Sequence, residues 1–233
     1  MKRLITFGLA VALIITAIGS CPPNANVQAQ GAGLVSSIVN KLESNNRDLR
    51  SLRAGISMEK YNAQIGENDK YQGVVLYVPA KGRNANVRVD WQSPQRETIA
   101  VSNGQYVLYQ PRKNLAYFGN ARSSKNKAGG VFELMNLSGS QLQARFEGLQ
   151  DIYDETLWGG VKTLHFKLVP KGASSFKYAE AWMDNSGMIV QTKIIERNND
   201  ATTVRLTKIE KNARVSSGDF RLDLPGDVKK IRG

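Results

Sequence analysis

The sequence holds a single cysteine and a single histidine in 233 residues. One cysteine cannot form an intramolecular disulfide, so the fold must be held by its apolar core alone. One imidazole and one thiol also fall short of any usual zinc site, and no acidic cluster has the spacing of a calcium loop. Catalysis of the Ser/His/Asp kind needs an imidazole poised near neutral pH. The candidate, His165, lies on the polar parity of a predicted strand without a motif around it, and reads as a surface strand residue. Asp151, Asp154 and Glu155 are close in sequence, but such a cluster is usually a solvated loop. Gly159-Gly160 beside Trp158 reads as a turn, because no Lys-Ser/Thr pair follows. These absences argue against an enzyme and against a metal or cofactor. No apolar run suits a membrane-spanning helix either, since Leu4 to Ile18 is too short.

That short run has another reading. Lys2 and Arg3 precede it, which is the pattern of a signal peptide over residues 1–20, so the chain is expected to be exported to the periplasm. Two cleavage sites compete. Ile18-Gly19-Ser20-Cys21 has the form of a lipobox, which makes Cys21 a lipidation candidate and a membrane anchor. Val27-Gln28-Ala29 fits the small-x-small pattern of ordinary signal peptidase. Pro22-Pro23-Asn24 opens a polar tether over 21–33, and the remainder, 34–233, is long enough for one domain with a sizeable core. The formal net charge is +12, spread as single Lys and Arg residues. Export makes nucleic acid a poor partner. Anionic lipid headgroups, acidic cargo surfaces and a merely solvated basic surface all remain compatible with this charge.

Periodicity sets the fold class. Leu34, Val35, Ile38, Val39 and Leu42 recur at helical spacing, whereas Leu52, Ala54, Ile56 and Met58 alternate with Arg53, Gly55, Ser57 and Glu59 as in a half-buried strand. The same alternation predicts strands at 71–78, 87–92, 98–102, 106–110 and 115–118, with a hairpin turn at Asn103-Gly104. A basic loop over 121–130 and short helices over 131–146 follow, with Ser138 and Ser140 as candidate caps. Strands resume at 164–168, 177–183, 188–196, 202–209 and 220–224. Many antiparallel strands with few helices predict an α+β fold, a large curved sheet whose concave face is lined by one parity of each strand. The residues expected to line it are Val87, Val89, Trp91, Ile99, Val101, Leu164, Phe166, Leu168, Val190, Val204 and Leu206. For any one of these, plain packing beneath the helices is an equally good reading. A sugar-binding module using Trp91, Trp158 and Trp182 would need those rings on one face.

Particular residues add a resemblance. Val89-Asp90-Trp91-Gln92-Ser93-Pro94, continuing through Ile99 to Pro111, and the C-terminal Gly218-Asp219-Phe220-Arg221-Leu222-Asp223-Leu224-Pro225-Gly226, resemble the outer-membrane lipoprotein carrier family, LolA-like. The resemblance implies an open antiparallel half-barrel with short helices as a lid over its concave face. It implies a carrier and chaperone that shelters the acyl chains of lipoproteins, or phospholipid, during transport to the outer membrane. It also implies inner- or outer-membrane transport partners and a monomer. The family's Arg-Pro is replaced here by the longer Pro79-Ala80-Lys81-Gly82-Arg83, so its lid-holding role does not pass to Arg83. A lipidated Cys21 would look more like the membrane-anchored acceptor LolB. The alternative role is an anchored scaffold or sensor of the same fold that transfers no cargo.

Overall fold

A computed structural model describes residues 25–79, 85–121 and 137–232, the side chains of 25–32 excepted. Cys21, Arg83, nearly all of the basic loop and the first part of the segment 131–146 therefore lie outside the described residues.

The chain opens with helix α1 (Ala25–Asp48). It begins well before the expected start at Leu34, so residues 25–33 are helical where the sequence suggested a tether. Alanine and glutamine at Ala25, Gln28, Ala29, Gln30 and Ala32 are compatible with that extension. Twelve strands follow among the described residues: β1 (Leu52–Asn62), β2 (Glu67–Val78), β3 (Asn86–Ser93), β4 (Glu97–Ser102), β5 (Gln105–Gln110), β6 (Leu115–Asn120), β7 (Phe146–Leu157), β8 (Val161–Pro170), β9 (Phe176–Asp184), β10 (Ile189–Glu196), β11 (Ala201–Lys211) and β12 (Lys229–Arg232). A second helix, α2 (Gly139–Arg145), precedes β7. Ser138 caps it as expected, accepting from the Gln141 backbone while Gln141 Oε1 accepts from the Ser138 backbone at 3.1 Å.

The strands form one open sheet in the order β12-β6-β5-β4-β3-β2-β1-β11-β10-β9-β8-β7. Every pairing is antiparallel except β12 on β6. Chain neighbours are sheet neighbours almost throughout, so short turns build it. At Asn103 and Gly104, φ values of 52° and 76° confirm the expected hairpin. The central crossing is β1 on β11, which brings the two halves of the chain together.

Three sequence expectations need correction. Residues 146–157, read as the end of a helical segment and a solvated acidic loop, form edge strand β7. Register shifts between Phe146 and Leu149 and between Gln150 and Tyr153 break its alternation, with φ 49° at Asp151. Residues 220–224 are not a strand. A 3-10 turn over Ser217–Phe220 packs Phe220 out of water, and the short strand β12 comes later. His165 is 3 % exposed, not a surface residue.

One contiguous core lies on the concave face. Ile38 and Leu42 of α1, Leu142 of α2 and Leu137 join Leu52, Ala54, Ile56 and Met58 of β1 and their cross-strand partners in a single cluster. The floor under these helices is built of small side chains, Ala54, Ala179, Ala181 and Thr192, all buried. Thr192 Oγ1 finds no hydrogen-bond partner there. Small residues on the floor let a helix lie close to the sheet.

Candidate functional site: an apolar trough on the concave face

Cross-strand register decides which residues share a face. Val75 pairs with Val89, Tyr77 with Val87 and Gly73 with Trp91. Val87 pairs in turn with Val101 and Val89 with Ile99. On the other side of β1, Ile56 pairs with Leu206 and Met58 with Val204. Thr192 lies opposite Val204, while Val190 sits at a register shift between Ile189 and Gln191 and joins the same buried cluster. Leu164 pairs with Met183, Phe166 with Ala181 and Leu168 with Ala179. By register, the expected lining residues other than Val190 fall on the concave face.

They divide into two environments. Val89, Phe166, Leu168, Val190, Val204 and Leu206 are buried in the cluster that α1 joins. Val87, Trp91, Ile99, Val101 and Leu164 are only half-buried. Register extends this second group to residues the sequence reading passed over. Ile99 faces Leu108 and Val101 faces Tyr106 on β5, and Leu108 faces Tyr117 on β6. Parity would have found them, since each sits in a recognised strand. The result is a half-buried apolar trough over β3–β6, continuous with the packed core.

One end of the trough is polar. Tyr71 and Trp91 meet edge to face with centroids 5.8 Å apart, and Lys60 Nζ lies 5.1 Å from the Tyr71 ring. Glu97 Oε1 accepts from Gln95 Nε2 at 2.7 Å and from Gln110 Nε2 at 2.8 Å. Behind the trough, on the convex face, Arg88 binds Asp90 through both oxygens at 2.9 and 3.1 Å and donates to the Asp219 carbonyl at 3.0 Å. Thr98 Oγ1 adds a donation to Asp90 at 2.8 Å. This network ties the C-terminal segment against β3 and β4, so the trough has a fixed back wall.

Burial pushes the Tyr77 hydroxyl, on the concave face next to Leu52, up to about 12. An acid whose pKa is higher folded than unfolded leaves stability intact below the unfolded value near 10. That stability is lost as pH rises from there towards 12, by about 2–3 kcal/mol for this group. Tyrosinate absorbance during alkaline titration should therefore show one tyrosine ionising only as the protein unfolds. In a Tyr77→Phe variant that late step should be absent.

The convex face holds the chemistry-bearing groups the sequence singled out. His165 Nδ1 sits 3.0 Å from the Asp151 carbonyl, between the Tyr153 ring at 4.3 Å and the Trp182 ring at 4.8 Å. Trp182 Nε1 donates to Glu155 at 2.7 Å, and Asp151 pairs with Lys167 at 3.4 Å. Glu155 is thereby a partner for an indole rather than half of a carboxylate pair. Trp182 is on the convex face and Trp91 on the concave, while Trp158 is 86 % exposed at the β7–β8 turn. The three tryptophans do not share a surface. Among the described residues, no His, Cys, Asp or Glu cluster is arranged to hold a metal, and no helix is long and apolar enough to cross a membrane.

The architecture is thus an open, mostly antiparallel half-barrel with two helices packed on its concave face. Solved structures share it at low sequence identity. An uncharacterized conserved protein from Thermus thermophilus matches at 10 % identity over 85 % of this chain and 98 % of its own, with a TM-score of 0.53. MucB matches at 12 % identity over 83 % of this chain, TM-score 0.52, and the chain spans 64 % of MucB's length. The Pseudomonas aeruginosa MucA/MucB complex matches at 11 % identity over 81 % of this chain and 61 % of that one, TM-score 0.50. No protein-family model matches the sequence, and no curated protein matches it.

Proposed function

We propose that the protein is an exported envelope carrier that shelters acyl chains of lipoproteins or phospholipid on its concave face. Residues 1–20 act as its signal peptide, Cys21 is the candidate for lipidation, and the segment from residue 34 onward is one lipid-binding domain. The observation that carries this reading is the trough: Val87, Trp91, Ile99, Val101, Tyr106, Leu108 and Tyr117 share one face and stay half-buried beside a fully packed core. Burying acyl chain is worth about 0.8 kcal/mol per methylene, so a dozen carbons supply roughly 10 kcal/mol gross with no polar chemistry. The trough needs shape and apolar area only.

A Val101→Asp variant tests this. A carboxylate in the middle of the trough should weaken binding of a fluorescent fatty acyl probe by about tenfold or more. The thermal transition should change little, because Val101 is not in the buried cluster. Unchanged probe affinity in a folded variant would remove the trough as the binding surface.

The same fold supports a scaffold or sensor that carries no cargo. The observation favouring it is that Val89, Phe166, Leu168, Val204 and Leu206 are already filled in by their own neighbours. In that case wild-type protein would bind the acyl probe no better than the variant.

A further inference from the structure

Three arginines surround one cleft at the C-terminal end of α1. The cleft, about 620 Å3, lies where the last turn of α1, the start of β1, the end of β2 and the chain leaving β11 converge; Arg47, Arg50 and Arg214 line it beside Ser51, Val78 and Val215. The remaining polar groups of its walls are already engaged. Ser51 Oγ donates to the Ala213 carbonyl. The Arg50 backbone N–H donates to Asn212 Oδ1 at 2.8 Å, and Asn212 Nδ2 donates to the Asp48 carbonyl at 3.3 Å. These bonds clamp the exit of β11 to the end of α1, so the cleft has fixed walls.

None of the three guanidinium groups has an ion pair or hydrogen bond among the described residues. Asp48 is the one carboxylate among the described residues that line the cleft, which leaves a clear excess of positive charge. A bound anion offsets this excess. A carboxylate offers two oxygens in one plane and satisfies one fork. A tetrahedral phosphate offers oxygens in several directions and can engage several forks at once. The volume exceeds that of a bare phosphate and leaves room for an esterified one.

We infer that this cleft is a phosphoanion site for a phosphate mono- or diester. It lies apart from the trough, so it stands or falls independently of the carrier reading. The source is a phospholipid headgroup or a soluble phosphate ester. The test uses the mature chain, with amide shifts of Ser51, Ala213 and Arg214 followed during titration with inorganic phosphate, and with binding to phosphatidylglycerol and phosphatidylcholine vesicles measured by co-sedimentation. The R47Q/R50Q/R214Q variant is compared with R96Q/R112Q/K113Q, which removes equal charge from exposed positions at the opposite end of the sheet. The expected result is a loss of affinity of about tenfold or more in the first variant and little change in the second. Vesicle binding confined to phosphatidylglycerol and lost in the first variant assigns a headgroup. Saturable shifts with inorganic phosphate alone assign a soluble ester. Equal losses in both variants, or no response to any probe, overturn the site.

Discussion

Phe166→Ala is expected to cost about 3–5 kcal/mol and to lower the melting temperature by roughly 10 °C. Phe166 is fully buried at the centre of the concave core, paired across the sheet with Ala181 and sharing one cluster with Ile38 and Leu42 of α1. Its neighbours on the floor are small and cannot expand into the space, so most of the ring's volume should persist as a cavity. The loss should be global, with amides of β1, β8 and β11 losing hydrogen-exchange protection together. A fall of less than about 1 kcal/mol would mean that the core under α1 is loosely packed.

Gly187→Ala should act locally and almost as strongly, at about 3 kcal/mol. A Cβ at Gly187 would stand 2.1 Å from the Lys41 carbonyl oxygen and 2.5 Å from its carbon, with φ at +82°. Backbone on both sides leaves no flexible end to give way, so α1 must lift off the β9–β10 turn. Amides of α1 should then exchange faster while the central strands stay protected. Gly160→Ala is the control: its φ is +78° with nothing within 4 Å, so it carries the conformational cost alone. That cost is about 1 kcal/mol. Equal effects from the two variants would show that α1 does not rest on the turn.

Much of the sheet was legible because a period of two is hard to produce by chance over many segments. Leu52 to Met58 and Leu164 to Leu168 alternate cleanly, and their register places them where alternation said. The lining set, Val190 apart, shared a face for the same reason. Strand β7 escaped because its bulges at 146–149 and 150–153 spoil the alternation. β12 escaped because Lys229–Arg232 is short and charged and is recognisable only by lying beside β6. His165 misled for a different reason. Polar parity was correctly assigned, but Tyr153, Trp182 and the Asp151 carbonyl cover that side of the sheet. Which lining residues are packed and which are half-open depends on where α1 lies across the strands, and helix placement is long-range information that periodicity does not carry.

The most direct test of acyl binding on the concave face is native mass spectrometry with lipid extraction on the mature protein purified from the envelope. The expected result is co-purified phospholipid or lipopeptide that an acylated peptide displaces, with displacement weakened by Val101→Asp. A protein that emerges empty and ignores acylated peptides would contradict the carrier and leave a scaffold built on the same sheet.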